Sequence, residues 1–483
     1  MNTLISRRHL LASSTTVMLA TSLTGTYARA ATPALTLERR TLEVNGKAAS
    51  VFGIQGPNGK PGLSLTPGER FAFSVNNRCG EASIIHWHGQ TPPPAQDGVT
   101  DTGYVGPIGA GTTRGYDFAP RPGTHWMHSH QGLQEQSLMA APLIVHSADD
   151  TRLDAQEVVV LLHDFTFRDP AEILASLTGR RSSPSGTTGS MMGGGGMMGG
   201  SGMAGGGMMS GNGGMGMDLN DIDFDAYLAN DRTLNDPDIV TASAGAQIRL
   251  RLINGATATN FWIDLGALQG QLIAVDGDAV RPITVSRFPL AGAQRADVLL
   301  RLPGAGTYPI IAQREGGRER TGIIIATPGA AIAKLTSSSG SVSAACGLGL
   351  EAQLTAAQLL SGRAPDRVHQ VTLTGGMMGY NWGINGLQWS NHQPLIVKAG
   401  ERVAFDMVSN SMMAHPMHLH GHHFQVVEVN GTAISGAMRD TVLVPPMATV
   451  RIVIDANNPG RWLFHCHNLY HMASGMMTEL IYT

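Results

Sequence analysis

The sequence predicts an all-β protein made of β-sandwiches. Short apolar runs with a period of two, each bounded by turn residues, are typical of strands. Examples lie at 70–75, 158–162, 247–252 and 449–454, whereas helical periodicity is confined to the stretch from Pro170 to Leu177. Many short strands separated by frequent turns indicate β-sandwiches.

A turn motif recurs three times and divides the chain. The segments 122–126, 303–308 and 459–462 each begin with Pro-Gly, and each resembles the turn into a late strand of the same sandwich. This repetition predicts three related domains. We place the domains at 32–148, 149–330 and 365–483, with 331–364 as a linker before the third.

Composition restricts the class of protein. The 483-residue chain has a formal charge of −3, and only 14% of its residues are charged, without a basic stripe. Nucleic acid is therefore not an expected partner. The three cysteines, Cys79, Cys346 and Cys466, are too few for a disulfide scaffold. Cys79 and Cys346 could form a disulfide or stay as two inert thiols, because sequence alone gives no distance between them.

The N-terminus has the pattern of an export signal. Two arginines at 7–8 precede an apolar run to about residue 23 and a small-residue cleavage site at 28–30. The arginine pair resembles a twin-arginine signal, with an ordinary Sec signal as the alternative. The apolar run is too short to span a membrane. We therefore expect residues 1–30 to be removed and the mature chain to be periplasmic, without a membrane span.

Four His-x-His pairs indicate a metal cluster. They are His86/His88, His128/His130, His418/His420 and His465/His467. Because residues i and i+2 of a strand face the same side, each pair directs two imidazoles to one place. Neutral imidazole is the commonest metal ligand and suits Cu, Zn, Fe or Ni. Since two pairs lie near each end of the chain, the cluster is predicted between the first and third domains.

The last pair encloses Cys466, whose side chain is expected to point the opposite way, into its own domain. His471 and Met476 follow at five-residue intervals, and His415 precedes the third pair. Two histidines, a thiolate and a weak axial methionine form a blue-copper electron-transfer site. A zinc site is the alternative, but zinc does not usually take a thioether ligand. The pattern predicts that electrons enter here and reach the cluster through the backbone of Cys466.

These motifs resemble the four copper signatures of multicopper oxidases, and most closely those of the bacterial copper-resistance oxidases. The matching segments are His86-Trp87-His88-Gly89, His128-Ser129-His130, 415–421 and 465–476. The resemblance covers essentially the whole mature chain. It implies three cupredoxin-like Greek-key β-sandwich domains and four copper ions. It also implies an enzyme that couples one-electron oxidations to the four-electron reduction of O2 to water.

The resemblance further implies which residues bind each copper. Type 1 copper would be bound by His415, Cys466, His471 and Met476. Type 2 would be bound by His86 and His418. The type 3 pair would be bound by His88, His128, His130, His420, His465 and His467. The other histidines of the mature chain are expected in surface or packing roles: His125, His146, His163, His369, His392, His422 and His423.

Reduction of O2 also needs protons, so an acid near the cluster is expected. Asp97 matches the family's acid near the type 2 copper. The alternative is that Asp97 has only a structural role, as a turn residue before Gly98. Some relatives carry a second acid directly after the later type 1 histidine. Here that position is Met472, which cannot carry a proton as that acid would.

The methionines bear on the electron donor. A Gly/Ser/Met insertion at 182–217 has almost nothing to bury and contains the following methionines: Met191, Met192, Met197, Met198, Met203, Met208, Met209, Met215 and Met217. Thioethers prefer Cu(I), although a spacer is the alternative. Met413 stands where cuprous oxidases of this family place a substrate-copper methionine. Ser411 replaces their acid, so the resemblance is partial there.

The expected function is oxidation of Cu(I) for copper tolerance, with small phenols as side substrates and O2 as acceptor. The first alternative is a laccase whose main substrates are phenols or diamines. The second is a non-enzymatic periplasmic copper-binding protein, although relatives of that kind generally lose copper ligands. We expect a monomer.

Overall fold

A computed structural model describes residues 32–179 and 219–483. The predicted export signal and the Gly/Ser/Met insertion at 182–217 lie outside the described residues, as do its nine methionines. Among the residues described, no helix is both long enough and apolar enough to cross a membrane. The strands form six sheets, two in each third of the chain.

The first third contains two four-stranded sheets. Its strands are β1 (Ala34–Val44), β2 (Lys47–Gln55), β3 (Leu63–Leu65), β4 (Phe71–Asn77), β5 (Ile85–His88), β6 (Thr113–Phe118), β7 (Gly123–Ser129) and β8 (Ala140–Val145). One sheet has the order β2-β1-β4-β6 and the other β3-β8-β7-β5. Strand β4 shows why the local sequence is extended: Phe71, Phe73 and Val75 are buried, and the residues between them are partly exposed.

The described part of the second third contains a six-stranded and a five-stranded sheet and one helix. Its elements are β9 (Gln156–Phe165), α1 (Pro170–Leu177), β10 (Ala226–Ala229), β11 (Asp238–Thr241), β12 (Gln247–Asn254), β13 (Phe261–Asp264), β14 (Gly270–Val275), β15 (Asp278–Val285), β16 (Arg287–Leu290), β17 (Arg295–Arg301), β18 (Thr307–Arg314) and β19 (Arg320–Ala326). The strand orders are β10-β9-β12-β17-β14-β15 and β11-β19-β18-β13-β16. Helix α1 begins after Asp169, whose carboxylate accepts from the Ala171 N–H.

The last third repeats this plan. Its elements are β20 (Arg367–Thr374), β21 (Gly383–Ile384), β22 (Leu395–Val397), β23 (Arg402–Ser409), β24 (His415–Leu419), β25 (Phe424–Val429), β26 (Thr432–Ala433), β27 (Met438–Arg439), β28 (Thr441–Val444), β29 (Thr449–Asp455), β30 (Arg461–Cys466), α2 (Leu469–Ser474) and β31 (Met477–Tyr482). One sheet has the order β21-β20-β23-β29-β25-β26, with β27 beside β25, and the other β22-β31-β30-β24-β28. Short 3-10 turns lie at Pro94–Gln96, Asp150–Arg152, Glu351–Gln353 and Trp389–Asn391.

The same connections recur in all three thirds. A parallel pair begins each of them, β1 with β4, β9 with β12 and β20 with β23. A second parallel pair joins β3 with β8, β11 with β19 and β22 with β31. The three Pro-Gly turns lead into β7, β18 and β30, which occupy equivalent places in their sheets. The predicted all-β fold of three cupredoxin-like Greek-key sandwiches is confirmed, whereas the exact domain boundaries stay a prediction.

A separate apolar core fills each pair of sheets. The first joins Phe71 and Val75 of one sheet to Trp87 and Met127 of the other. The second and third cores are larger and likewise draw on both sheets. Burial of apolar surface between facing sheets is what holds each sandwich together. The four example strands and the helix predicted from the sequence all occur as predicted.

The disulfide alternative for Cys79 and Cys346 is not realised, because both are buried free thiols. Cys79 lies in the core of the first third. Cys346 packs with Ala291 and Leu443 in a different cluster, and its backbone N–H donates to the Glu315 carboxylate. Burial raises the pKa of the Cys346 thiol, with Glu315 adding to the shift, so the thiol is held in its unreactive protonated form. The inert-thiol alternative therefore holds.

Candidate metal centres

Four strands bring the paired histidines together. In the first third, β5 pairs with β7 so that His86 lies opposite His128. In the last third, β24 pairs with β30 so that His418 lies opposite His465. The second member of three of the pairs, at positions 130, 420 and 467, lies just beyond its strand. Both ends of the chain thus supply histidines to one place, as the His-x-His pattern predicts.

Alternation along β30 separates two centres. Phe464 and Cys466 point into the core of the last third, and Cys466 has no exposed surface. Leu463 faces the other way and packs against Val99 of the first third. His465 lies on that same outward side, toward His130. One strand therefore presents a thiol to its own sandwich and an imidazole to the neighbouring one.

The histidines of the first centre form three groups that could each hold a metal ion. Within each group one ligand atom per residue lies within 4.8 Å of the others. The groups are His88/His128/His467, His130/His420/His465 and His86/His88/His418. All eight side chains are buried. We call them the histidine cluster.

Unpartnered nitrogens in the histidine cluster fit a metal. Nδ1 of His88 and Nε2 of His128, His130 and His467 are buried and have no hydrogen-bond partner among the described residues. Nε2 of His420 lies 2.9 Å from Nε2 of His465. Two lone pairs that face each other at this distance are stabilised when a cation binds both nitrogens. Orphaned buried polar atoms are costly, and metal binding accounts for them.

Burial keeps seven of these eight rings neutral. It lowers the pKa of His465 to about 4 and lowers the pKa values of His88, His128, His130, His418, His420 and His467 well below the ordinary value. Neighbouring imidazoles add to the shift, because two nearby rings disfavour charging each other. A neutral imidazole has the free lone pair that a metal needs.

Carboxylates surround the histidine cluster on its outer side. Asp97 accepts from Nδ1 of His420 at 2.9 Å, and its backbone carbonyl accepts from Nδ1 of His86 at 3.0 Å. Glu135 lies 2.8 Å from Nδ1 of His128. Such contacts fix which ring nitrogen carries the proton, so that the other faces the metal. Asp97 is therefore part of the centre as well as a turn residue before Gly98.

The second centre surrounds Cys466. The Sγ atom lies 3.7 Å from Nδ1 of both His415 and His471, and those two nitrogens are 3.1 Å apart. Met476 has no exposed surface and shares the core of Cys466, and its backbone carbonyl accepts from the backbone N–H of Cys466 at 3.0 Å. Burial raises the pKa of the Cys466 thiol, so a thiolate here needs a bound cation. A soft metal fits this group of two imidazoles, a sulfur anion and a thioether.

The outer nitrogens of the two histidines beside Cys466 have different partners. Nε2 of His415 lies 2.6 Å from the Ser411 hydroxyl, and Nε2 of His471 lies 2.9 Å from Oδ2 of Asp221. Asp221 also accepts from the hydroxyl of Tyr380 at 2.8 Å. Burial alone would raise the pKa of the Asp221 carboxyl, but His471 and the Tyr380 hydroxyl hold this pKa below its ordinary value. An acid is therefore present beside this centre: Asp221 contacts His471, while Ser411 stands near His415 where the family resemblance would place an acid.

The structure brings the predicted histidines and Cys466 together in these two centres, while their roles as copper ligands stay a prediction. Met413 is buried in the same core as Cys466, and Met472 is a partly exposed residue of helix α2. Four residues near the centres are not predicted by the sequence patterns: Glu135, Asp221, Asp440, which lies 3.1 Å from Nε2 of His88, and Arg295, which donates to Asp440. Glu135 lies five residues after His130, and this short spacing is the one local feature of the sequence that could have indicated its position near the histidine cluster. The others come from distant segments without a motif.

Comparisons with known proteins agree with this geometry. Models of the family described as multicopper oxidase match residues 36–150, 156–333 and 362–483. The multicopper oxidase MmcO of Mycobacterium tuberculosis is 32% identical over 94% of this chain and 87% of its own length. Copper resistance protein A of Escherichia coli is 28% identical over 92% and 91%. The crystal structure of Fet3p, a multicopper oxidase that functions in iron import, shares the fold with a TM-score of 0.74 at 18% identity, over 93% and 90%.

These matches exclude the alternative of a non-enzymatic binding protein. The family models cover most of the chain, and its members are oxidoreductases that use O2. The buried histidine groups account for the copper that the family binds. The chain belongs to the multicopper oxidase family and is a copper-binding oxidoreductase with O2 as its electron acceptor.

Proposed function

We propose that this oxidase binds four copper ions with the ligands implied by the family signatures. His415, Cys466, His471 and Met476 would bind the type 1 ion. His86 and His418 would bind type 2. The groups His88/His128/His467 and His130/His420/His465 would each bind one ion of the type 3 pair. The observation that carries the proposal is the convergence of ten buried histidines, one cysteine and one methionine on two adjacent centres.

Copper would supply one-electron redox chemistry at the centre around Cys466 and four-electron reduction of O2 to water at the histidine cluster. The chain's part is to connect and position. Cys466 is bonded through single peptide units to His465 and His467, so the covalent path between the centres is short. Asp97 holds the Nδ1 protons of His86 and His420 away from the metal side and is the acid we propose for proton delivery.

We propose Cu(I) as the main reducing substrate, which would make the enzyme a copper-tolerance oxidase. Relatives named copper resistance protein A support this, as does the methionine composition of 182–217. Thioether sulfur favours Cu(I) over harder ions. Buried Met413, two residues before His415, is the described methionine best placed to receive the substrate ion. Copper tolerance would also fit export of the mature chain, from residue 31, to the periplasm by a twin-arginine signal. We propose that the exported enzyme is a monomer.

A laccase acting on small phenols or diamines is the alternative, and one observation favours it. A groove of about 490 Å³ lies beside helix α2, which carries the proposed type 1 ligand His471. The groove is lined by Tyr380, Trp389, Met472 and helix α1. Its size and aromatic wall suit a small aromatic donor. Phenol oxidation is therefore proposed as a side activity.

The test is O2 uptake by the copper-loaded enzyme with Cu(I) and with a simple phenol, measured side by side. A higher kcat/KM for Cu(I) would support the copper-tolerance proposal, and a higher value for the phenol would make the enzyme a laccase. Deletion of 190–217 should lower cuprous oxidation and leave or raise phenol oxidation. If cuprous oxidation is unchanged and phenol oxidation does not rise, the insertion is neither a Cu(I) collector nor a cover.

A further inference from the structure

One buried arginine of the second third contacts all three thirds of the chain. Arg295 has no exposed surface. Its Nε donates to the Thr124 carbonyl at 3.2 Å, and its Nη1 donates to the Ala293 carbonyl at 2.8 Å. Nη1 also donates to Oδ1 of Asp440 at 2.8 Å, while Nη2 donates to the other carboxylate oxygen. Two parallel hydrogen bonds of this kind define the orientation of a carboxylate as well as its position.

Asp440 and the next residue, Thr441, contact two rings of the histidine cluster. Nε2 of His88 lies 3.1 Å from both Oδ1 of Asp440 and the Thr441 hydroxyl. Nδ1 of His418 donates to the backbone carbonyl of Asp440 at 2.8 Å. The two rings stack with centroids 3.7 Å apart. Since His88 comes from the first third and His418 from the last, this short segment aligns histidines from both ends of the chain.

The main chain after His88 leaves this ion pair no room to move. Gly89 has φ of +84°, and a Cβ there would lie 2.5 Å from Nη2 of Arg295 and 2.7 Å from Oδ2 of Asp440. On another side, the backbone N–H of Arg295 donates to Asp276 at 2.9 Å. The pair is therefore held by close packing as well as by charge.

We propose that Arg295 is a positioning residue of the copper centre. By fixing Asp440, it keeps the Nε2–H of His88 on the carboxylate and the Nδ1–H of His418 on the backbone carbonyl, so that the opposite nitrogens face the metals. The proposal rests on the ligand set proposed above and deepens it. It assigns a part in the centre to the second third, which supplies none of the proposed ligands.

The chemistry of arginine suits this task. Guanidinium is always charged and has a planar fork that matches both oxygens of a carboxylate. Methionine at 295 would retain much of the volume but leave Asp440 as a buried anion with one partner fewer, free to turn about its side chain. Lysine would keep the charge but offer a point donor in place of the fork. Lysine should therefore restore the function of the position only in part.

A matched control lies on the neighbouring strand. Arg251 also has no exposed surface and donates to Oδ2 of Asp297 at 2.9 Å and to the Thr124 hydroxyl at 2.8 Å. It makes no hydrogen bond to the histidine cluster within the described ranges, 32–179 and 219–483. Arg251→Met thus removes a comparable buried ion pair at the same junction without altering a proposed ligand contact.

The experiment compares copper-loaded wild type, Arg295→Met, Arg295→Lys and Arg251→Met. Copper content per chain, the type 2 EPR spectrum, the blue type 1 absorption and kcat are measured on the folded fraction. We expect Arg295→Met to keep the blue absorption, lose type 2 copper or show altered hyperfine splitting, and lose about tenfold or more in kcat. Arg295→Lys should be intermediate. Arg251→Met should lower the denaturation midpoint and leave the copper signals unchanged.

Wild type that lacks the blue absorption and the type 2 signal after copper loading would overturn the ligand set itself. Wild type that shows both, together with an Arg295→Met variant of unchanged copper content, EPR spectrum and kcat, would overturn only the role of Arg295. Equal copper loss in Arg251→Met would also overturn it, because the effect would then be structural. If Arg295→Met does not fold, an unchanged EPR spectrum and copper content in Arg295→Lys overturn the proposal.

Discussion

Gly98 is a position where a single methyl group should disturb the histidine cluster. A Cβ there would lie 1.7 Å from the carbonyl oxygen of Ile85 and 3.0 Å from Cα of His86. Real Cβ atoms essentially never come closer than 3.0 Å to such atoms, so Gly98→Ala must separate the two segments by about 1.3 Å, the difference between those distances. One segment carries His86 and the other carries Asp97.

That displacement is larger than the contacts of Asp97 can absorb. They measure 3.0 Å from its carbonyl to Nδ1 of His86 and 2.9 Å from Oδ2 to Nδ1 of His420, so an added ångström breaks either one. A misplacement of about 1 Å costs on the order of 100-fold in rate. We expect kcat for O2 reduction to fall by about 10- to 100-fold. The left-handed backbone adds about 1–2 kcal/mol of instability for any residue with a Cβ.

Gly46 provides the control, because it has the same φ of +84° and no heavy atom within 4 Å of its Cβ position. Gly46→Ala should therefore carry the backbone cost alone. The assay is steady-state O2 uptake, combined with anaerobic bleaching of the blue absorption by the donor. Gly98→Ala should slow O2 uptake while bleaching stays normal, and Gly46→Ala should change only the denaturation midpoint. Equal kcat in Gly98→Ala and wild type would refute the reasoning.

Three further changes test separate parts of the structure. Cys466→Ser should abolish the blue absorption but leave copper in the histidine cluster, and retained blue colour would contradict the assignment of the thiolate. Asp221→Asn should raise the reduction potential of the centre at Cys466, because an anion beside His471 stabilises the oxidised metal. Redox titration measures this potential, with Ser411→Ala as the control because that change removes no charge. Equal potentials in the two variants would contradict the prediction. Burial lowers the pKa of His163, so the unfolded chain binds its proton more readily and the folded copper-free protein should lose stability as pH falls below about 6.5. The cluster histidines contribute in the same direction, so His163→Gln should make the stability loss between pH 7.5 and pH 5 smaller without removing it. Urea unfolding at the two pH values measures the loss, and an equal loss in wild type and variant would count against the role of His163.

Much of the fold could be predicted because strand periodicity and turn residues act locally. The alternation in β4 and β12 is visible in the sequence since each strand has one face in a core. The His-x-His pairs were equally readable, because a spacing of two on a strand has only one geometric meaning. The opposite orientation of Cys466 followed from the same rule.

The partners of the histidines could not be predicted in the same way. Asp221 and His471 are 250 residues apart, and Arg295 meets Asp440 across 145 residues, with no spacing that marks either pair. Such contacts depend on how the three sandwiches pack against one another. The acid beside the type 1 histidines shows the consequence. Ser411 departs from the family pattern locally, while Asp221 brings a carboxylate to the other histidine from a distant segment.

The number of donor electrons consumed per O2 tests the central claim most directly. It is measured with an oxygen electrode and a one-electron donor of known concentration, together with an assay for hydrogen peroxide. If the two centres work as one oxidase, the copper-loaded enzyme will consume four electrons for each O2 and release no peroxide. Consumption of two electrons with peroxide as product would contradict the proposal that the histidine cluster binds one type 2 and two type 3 copper ions.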